Sequence, residues 1–186
     1  VPNLASTWQA YGWRDWAVTD DERVFGIISS YRGQNAVQYH RIVEWDIKHP
    51  LAWKCISTYD VSSGGYGDYT GISYDRTRDT VWVNHGVRKS VIQYEFDGAG
   101  GFERNSTDYY TYFMSSGQVR GMSVHGDLFW FRTYQSWSSD NLDCFAITGD
   151  AGSVLTKQTG SVMISANGYG LDYDGQRLNT LDHYSW

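Results

Sequence analysis

The sequence predicts an all-β protein, a small β-propeller of about four blades of antiparallel strands, and three observations predict it. The first is a recurring glycine-led unit. Gly71-Ile72-Ser73-Tyr74-Asp75 passes through a polar turn into the alternating Thr80-Val81-Trp82-Val83, and Gly121-Met122-Ser123-Val124-His125 passes through Gly126-Asp127 into Leu128-Phe129-Trp130-Phe131. Gly170-Leu171-Asp172-Tyr173 repeats the unit with a tighter Asp174-Gly175 turn, and a divergent copy starts at Trp16. The four starting points lie 55, 50 and 49 residues apart, the spacing of units made of several short strands each. The second observation is composition: 15 Tyr, 9 Trp and 20 Gly with only 2 Pro favour strands joined by tight turns over helices. The third is periodicity, which is two almost throughout, with no sustained apolar pattern at helical spacing. A two-sheet sandwich is the alternative, and near-identical repeats disfavour it.

Taken in order, the first repeat predicts strands at residues 17–19, 24–29, 40–46 and 53–58, with the His49-Pro50 corner between strands, where proline is tolerated. The second predicts 71–74, 80–84 and 91–96, then a fourth strand after Asp97-Gly98-Ala99-Gly100-Gly101, whose glycines supply the positive φ of a hairpin turn. The third predicts 121–124, 128–133, 142–147 and 154–158. Only the stretch from Gly170 to Trp186 remains for the fourth, so the last blade is expected to be incomplete or closed by the N-terminus, where Leu4-Ala5-Ser6 resembles the links that enter the other inner strands. Those links are Val61-Ser62-Ser63-Gly64, Met114-Ser115-Ser116-Gly117 and Ile164-Ser165-Ala166-Asn167.

Residues 1–186 read as one domain, long enough to bury a core without staples. Cys55 and Cys144 fall in different repeats within alternating stretches, where each is expected as a small buried apolar residue. A formal net charge of −6 with no cluster of Lys and Arg argues against a nucleic-acid partner. No apolar run approaches the roughly 20 residues of a membrane-spanning helix, so no membrane insertion is expected. The start at Val1-Pro2-Asn3 is read as that of a domain excised or processed from a longer chain, through which it would oligomerise.

The blade starts Gly71-Ile72-Ser73-Tyr74-Asp75 and Gly170-Leu171-Asp172-Tyr173-Asp174-Gly175 resemble those of the NHL-like and YVTN-like β-propeller superfamily. The resemblance covers most of the chain as a repeat grammar. It implies a fold more specifically than a function, since lectins, adhesion modules, lactonases and lyases share it. In general style, a short propeller rich in Tyr and Trp is also similar to the receptor-binding heads of viral and phage spikes. Thr148-Gly149-Asp150-Ala151-Gly152-Ser153 resembles the Asp-box turn of sialidase-type propellers, with Val154 in place of the closing aromatic.

Two sets of candidate site residues follow. Asp20, Asp75, Asp172 and Asp174 end the inner strands and would converge near the ring axis, where carboxylates and backbone carbonyls suit Ca2+. The competing reading is that each aspartate closes its own turn by accepting backbone N–H bonds. The second set lies after each second strand: Tyr31, Arg32, His85, Arg88, Tyr134, Trp137, His183 and Tyr184. Equivalent positions in every repeat put them on one rim, where Tyr, Trp, Arg and His give rigid platforms with hydrogen-bonding edges. Aromatic packing between blades is the competing reading. None of the five histidines has the spacing of a zinc site, and Asp182-His183 beside Ser185 cannot form a triad from neighbouring positions on one strand.

The function these residues suggest is non-enzymatic recognition of a cell-surface glycan or protein receptor by an extracellular or virion-surface domain. A structural or assembly propeller, and a Ca2+-dependent hydrolase or lyase of lactonase type, are the alternatives.

Overall fold

A computed structural model describes residues 9–32, 37–46, 54–60, 69–85, 90–96, 102–110, 119–136, 139–149, 153, 155–158, 162–165 and 168–182. The chain is all-β, built as several antiparallel sheets. Strands β1 (Gln9–Val18), β2 (Val24–Arg32), β3 (Val37–Asp46) and β4 (Lys54–Asp60) form the first sheet in sequence order. The second sheet repeats that order with β5 (Tyr69–Asp75), β6 (Thr80–His85), β7 (Ser90–Phe96) and β8 (Phe102–Tyr110). In the third, β9 (Val119–His125), β10 (Leu128–Ser136) and β11 (Ser139–Ala146) follow each other, and β12 (Thr156–Lys157) and β13 (Val162–Ser165) both pair with β11. A two-stranded sheet of β14 (Gly168–Tyr173) and β15 (Leu178–Asp182) ends the described chain.

The first strand of each sheet packs against the first strand of the next, β1 on β5, β5 on β9 and β9 on β14, and β14 also touches β1. Glycine allows that approach. A Cβ on Gly71 would stand 2.8 Å from the Cβ of Met122, and one on Gly121 would stand 2.7 Å from the carbonyl carbon of Gly170 and 2.8 Å from the amide of Leu171. The recurring glycines thus mark where one inner strand meets the next.

The alternation Thr80-Val81-Trp82-Val83 buries both faces of the second sheet. Val81 and Val83 turn toward the first sheet, joining Phe25, Ile27 and Ile42, while Trp82 turns toward the third, joining Phe129, Phe131 and Phe145. Trp82 meets Phe129 edge to face at 4.9 Å between centroids, a favoured aromatic geometry. Each such fully buried side chain contributes about 1.5–3 kcal/mol relative to exposure. Cys144 is buried on β11 and its thiol is free, as a small core residue would be. The third sheet also encloses charge: Arg132 and Asp140, both without solvent exposure, pair at 2.8 Å, and Lys157 on β12 pairs with buried Asp143 at 2.7 Å.

Most strands differ from expectation by a few residues at one end, and the larger differences are these. β1 begins at Gln9 and pairs with β2 from Gln9–Tyr31 to Val18–Val24, with register shifts after Ala10 and Trp13. Thr19 lies past its end and closes the turn instead, its amide donating to the Arg23 carbonyl at 2.9 Å and its hydroxyl accepting the Arg23 amide at 3.0 Å. The strand expected at 154–158 shortens to Thr156–Lys157, because the other end of β11 is covered by β13. β13 therefore takes Ile164 and Ser165 from what the sequence suggests is a link. In the fourth sheet β14 and β15 are the only described strands. The link at Leu4-Ala5-Ser6 lies outside the described residues.

Candidate functional site

The inner strands are tied by a repeated device. Ser73 Oγ on β5 accepts the amide of Val124 on β9 at 3.0 Å, and Ser123 Oγ on β9 accepts the amide of Tyr173 on β14 at 2.8 Å. Both serines stand two residues after the repeat glycine, so one position in the grammar supplies one inter-sheet bond. From β1 to β5 an aspartate does the work. Asp15 Oδ2 accepts the amide of Ile72 at 3.1 Å, its Oδ1 accepts the amide of Trp16 at 3.0 Å, and the Met122 amide on β9 also donates to it. Asp15 is buried, and loss of water around the carboxyl outweighs those three donors, pushing its pKa up to about 8. At neutral pH it is therefore largely an uncharged polar plug between three strands.

Beside this ladder, the C-terminal ends of the four inner strands enclose an open cavity of about 370 Å³. Its walls bring Trp16 and Val18 from β1, Ser73 and Tyr74 from β5, Ser123 and His125 from β9, and Asp172 and Tyr173 from β14 to one space, with Arg76 and Asp174 contributed by the following turns. Trp16 is 39% exposed although it carries a large apolar ring. The Tyr173 ring is fixed from two sides, edge-on to His125 at 6.0 Å and tilted against Trp130 at 5.7 Å, and its hydroxyl donates to the Gly175 carbonyl at 2.9 Å. Tyr74 donates its hydroxyl to Asp79 at 2.7 Å, and partial burial together with that carboxylate pushes its pKa up to about 12. It stays protonated at any ordinary pH.

Ion pairs link the turns at this end of the sheets. Arg76 Nε pairs with Asp20 at 2.8 Å, linking the turns after β1 and β5. Arg78 reaches Asp75 at 2.8 Å and also the Gly126 carbonyl and Asp127, linking the turns after β5 and β9. His125 packs on Gly175, where a Cβ would come within 2.8 Å of Nε2 and where φ is +94°.

The four aspartates expected to converge are distributed over these roles. Asp75 is fully buried and accepts the Thr77 amide at 3.0 Å as well as Arg78. Asp174 closes its turn by accepting the amides of Gln176 at 2.8 Å and Arg177 at 2.6 Å, which hold its carboxyl below the usual carboxylate range. Asp20 is on Arg76. Asp172 alone of the four is exposed in the cavity wall without a hydrogen bond or ion pair among the described residues. No group of three or more His, Cys, Asp or Glu side chains poised for a metal occurs among the described residues.

The aromatic rim falls at the other end of the sheets. Tyr31 and Arg32 end β2, His85 ends β6 and Tyr134 lies near the end of β10, so their backbones occupy equivalent strand ends, opposite the cavity. Arg88, Trp137, His183 and Tyr184 lie outside the described residues. Sequence reasoning singled out neither Asp15 nor the pair Ser73 and Ser123. The serines carried a signal, since both follow a repeat glycine by two positions; Asp15 carried none.

What the cavity can do chemically follows from which groups are already engaged. Ser73 and Ser123 accept backbone amides, and neither hydroxyl is bonded to a histidine or carboxylate among the described residues, the arrangement an activated nucleophile needs. Their hydroxyl protons remain available to donate. No protein-family model matches the chain, and comparison with curated proteins finds no match.

Proposed function

We propose that the chain is a four-bladed β-propeller acting as a non-enzymatic recognition domain that takes part of a cell-surface glycan or receptor into the cavity at the inner-strand ends. One observation carries the reading: the four inner strands bring the rings of Trp16, Tyr74, His125 and Tyr173 to a single open cavity, where the His125 ring nitrogens and the Asp172 carboxyl make no hydrogen bond among the described residues, while Ser73 and Ser123 accept backbone amides. Sites of this kind, a few placed polar groups among aromatic surfaces, suit ligand binding. The antiparallel sheets with sequential strand order, and the side-by-side contact of β1, β5, β9 and β14, support the propeller architecture.

The rim of Tyr31, Arg32, His85, Arg88, Tyr134, Trp137, His183 and Tyr184 is the second candidate surface, favoured by the equivalence of the strand ends that lead to it. A glycan-array screen of the protein with paired variants Trp16→Ala and Trp137→Ala tests the reading. Loss of the bound glycans in Trp16→Ala alone supports the cavity; loss in Trp137→Ala alone transfers recognition to the rim. Binding of no glycan or cell surface by the folded protein would overturn the recognition reading.

A further inference from the structure

Resting on the recognition reading, we infer that the cavity takes a sugar bearing a free ammonium group, an amino sugar of the hexosamine type, with Asp172 as its counter-ion. The repeat itself isolates this residue. Ser73, Ser123 and Asp172 occupy one position, two residues after Gly71, Gly121 and Gly170. The two serines spend their oxygen on the amide of the next inner strand. Asp172 receives no such amide among the described residues and faces the cavity exposed. A carboxyl group stands where the second and third repeats carry an occupied hydroxyl.

The surrounding cations do not neutralise it. Arg76 is held on Asp20, Arg78 on Asp75 and Asp127, and Arg177 lies beside Asp174, whose carboxyl it stabilises. Each arginine of this end has its own carboxylate, so Asp172 leaves the cavity net negative. A sialylated or phosphorylated ligand would be repelled, and a cation concentrated.

The aromatic rings narrow the class further. Trp16 and the fixed ring of Tyr173 line the same space as Asp172. A carboxylate among aromatic faces suits an ammonium group, which is drawn to both. The apolar face of a sugar ring can lie on the same surface. The hydroxyl protons of Ser73 and Ser123 and the ring nitrogens of His125, which make no hydrogen bond among the described residues, are left for sugar hydroxyls. At about 370 Å³ the cavity is at the small end of the ligand-site range of about 300–1,000 Å³, matching one sugar residue rather than a chain.

The test is a titration of the wild-type protein, Asp172→Asn and Asp172→Ser with glucosamine, N-acetylglucosamine, glucose and methylammonium, followed by tryptophan fluorescence. Asp172→Ser introduces the residue of the second and third repeats, so one of the two variants is expected to keep the fold, checked by circular dichroism. The expected result is glucosamine binding at least tenfold tighter than the other three probes, with that preference abolished in either folded variant. Equal binding of glucosamine and N-acetylglucosamine, or an unchanged preference in the variants, would overturn the charge assignment while leaving the cavity as a sugar site. Methylammonium binding as tightly as glucosamine would overturn the sugar assignment. A wild-type protein that binds a glycan on the array yet gives no fluorescence response to any of the four probes would overturn this inference alone.

Discussion

Replacing Asp15 by Asn should remove a pH dependence of stability that the wild-type protein carries. The carboxyl is raised from 3.8 to about 8 on folding because burial penalises its charge. An acid raised in this way binds its proton more tightly folded than unfolded. The stabilisation is full below the unfolded value near 4 and is lost as pH climbs through about 8, the reverse of a salt-bridged carboxylate. Between pH 5 and pH 7 one proton is released on unfolding, a slope of about 1.4 kcal/mol per pH unit, or about 3 kcal/mol over the interval. For a domain of this size that corresponds to roughly 5–10 °C in Tm. Asn keeps one acceptor oxygen but turns an NH2 toward one of the donors at Ile72 and Trp16, costing roughly 1–3 kcal/mol at pH 5. The assay is thermal unfolding by circular dichroism from pH 5 to pH 8 for both proteins. Every other titratable group is common to the two proteins and cancels in the difference. The Asp15→Asn variant should start lower and stay flatter, the two curves converging as pH rises. Parallel curves would refute the reasoning, because they would mean that Asp15 is ionised in the folded state throughout.

Two further outcomes follow from the same geometry. Gly121→Ala should destabilise by roughly 1–3 kcal/mol in urea unfolding, because the added Cβ meets backbone atoms of Gly170 and Leu171 that no rotamer change can clear; an unchanged midpoint would mean that β9 and β14 are further apart than described. A Ca2+ ion held by Asp20, Asp75, Asp172 and Asp174 would have to displace the Arg76 and Arg78 ion pairs and two turn-closing carboxylates, so excess EDTA should leave Tm unchanged; a lowered Tm with calcium found by elemental analysis would show that it does displace them.

The fold was legible wherever one residue type answered one local demand. Gly71 and Gly121 recur because the inner strands meet there, Gly170 takes a φ of +89°, and the alternation from Thr80 to Val83 is visible because both faces of that strand are buried. β1 was underestimated because Trp16 replaces the glycine that announces the other inner strands, and its register shifts break the simple alternation. The candidate site was less legible. For Asp75 and Asp174 the turn-closing reading was the legible one, because the amides of Thr77, Gln176 and Arg177 that they accept lie only two or three residues downstream. Asp15 gave no signal because the amides that hold it, from Ile72 and Met122, belong to strands more than 50 residues away. Asp172 was legible as an aspartate at a strand end, but its isolation emerged only once its serine equivalents were seen engaged.

Recognition through the cavity is tested most directly by recording amide and indole shifts of the 15N-labelled protein during titration with the glycan that the array selects. The account predicts shifts at the Trp16 indole and at the amides of Ser123, Asp172 and Tyr173, saturating together. Shifts confined to Tyr31, Arg32, His85 and Tyr134, at the opposite strand ends, would contradict it.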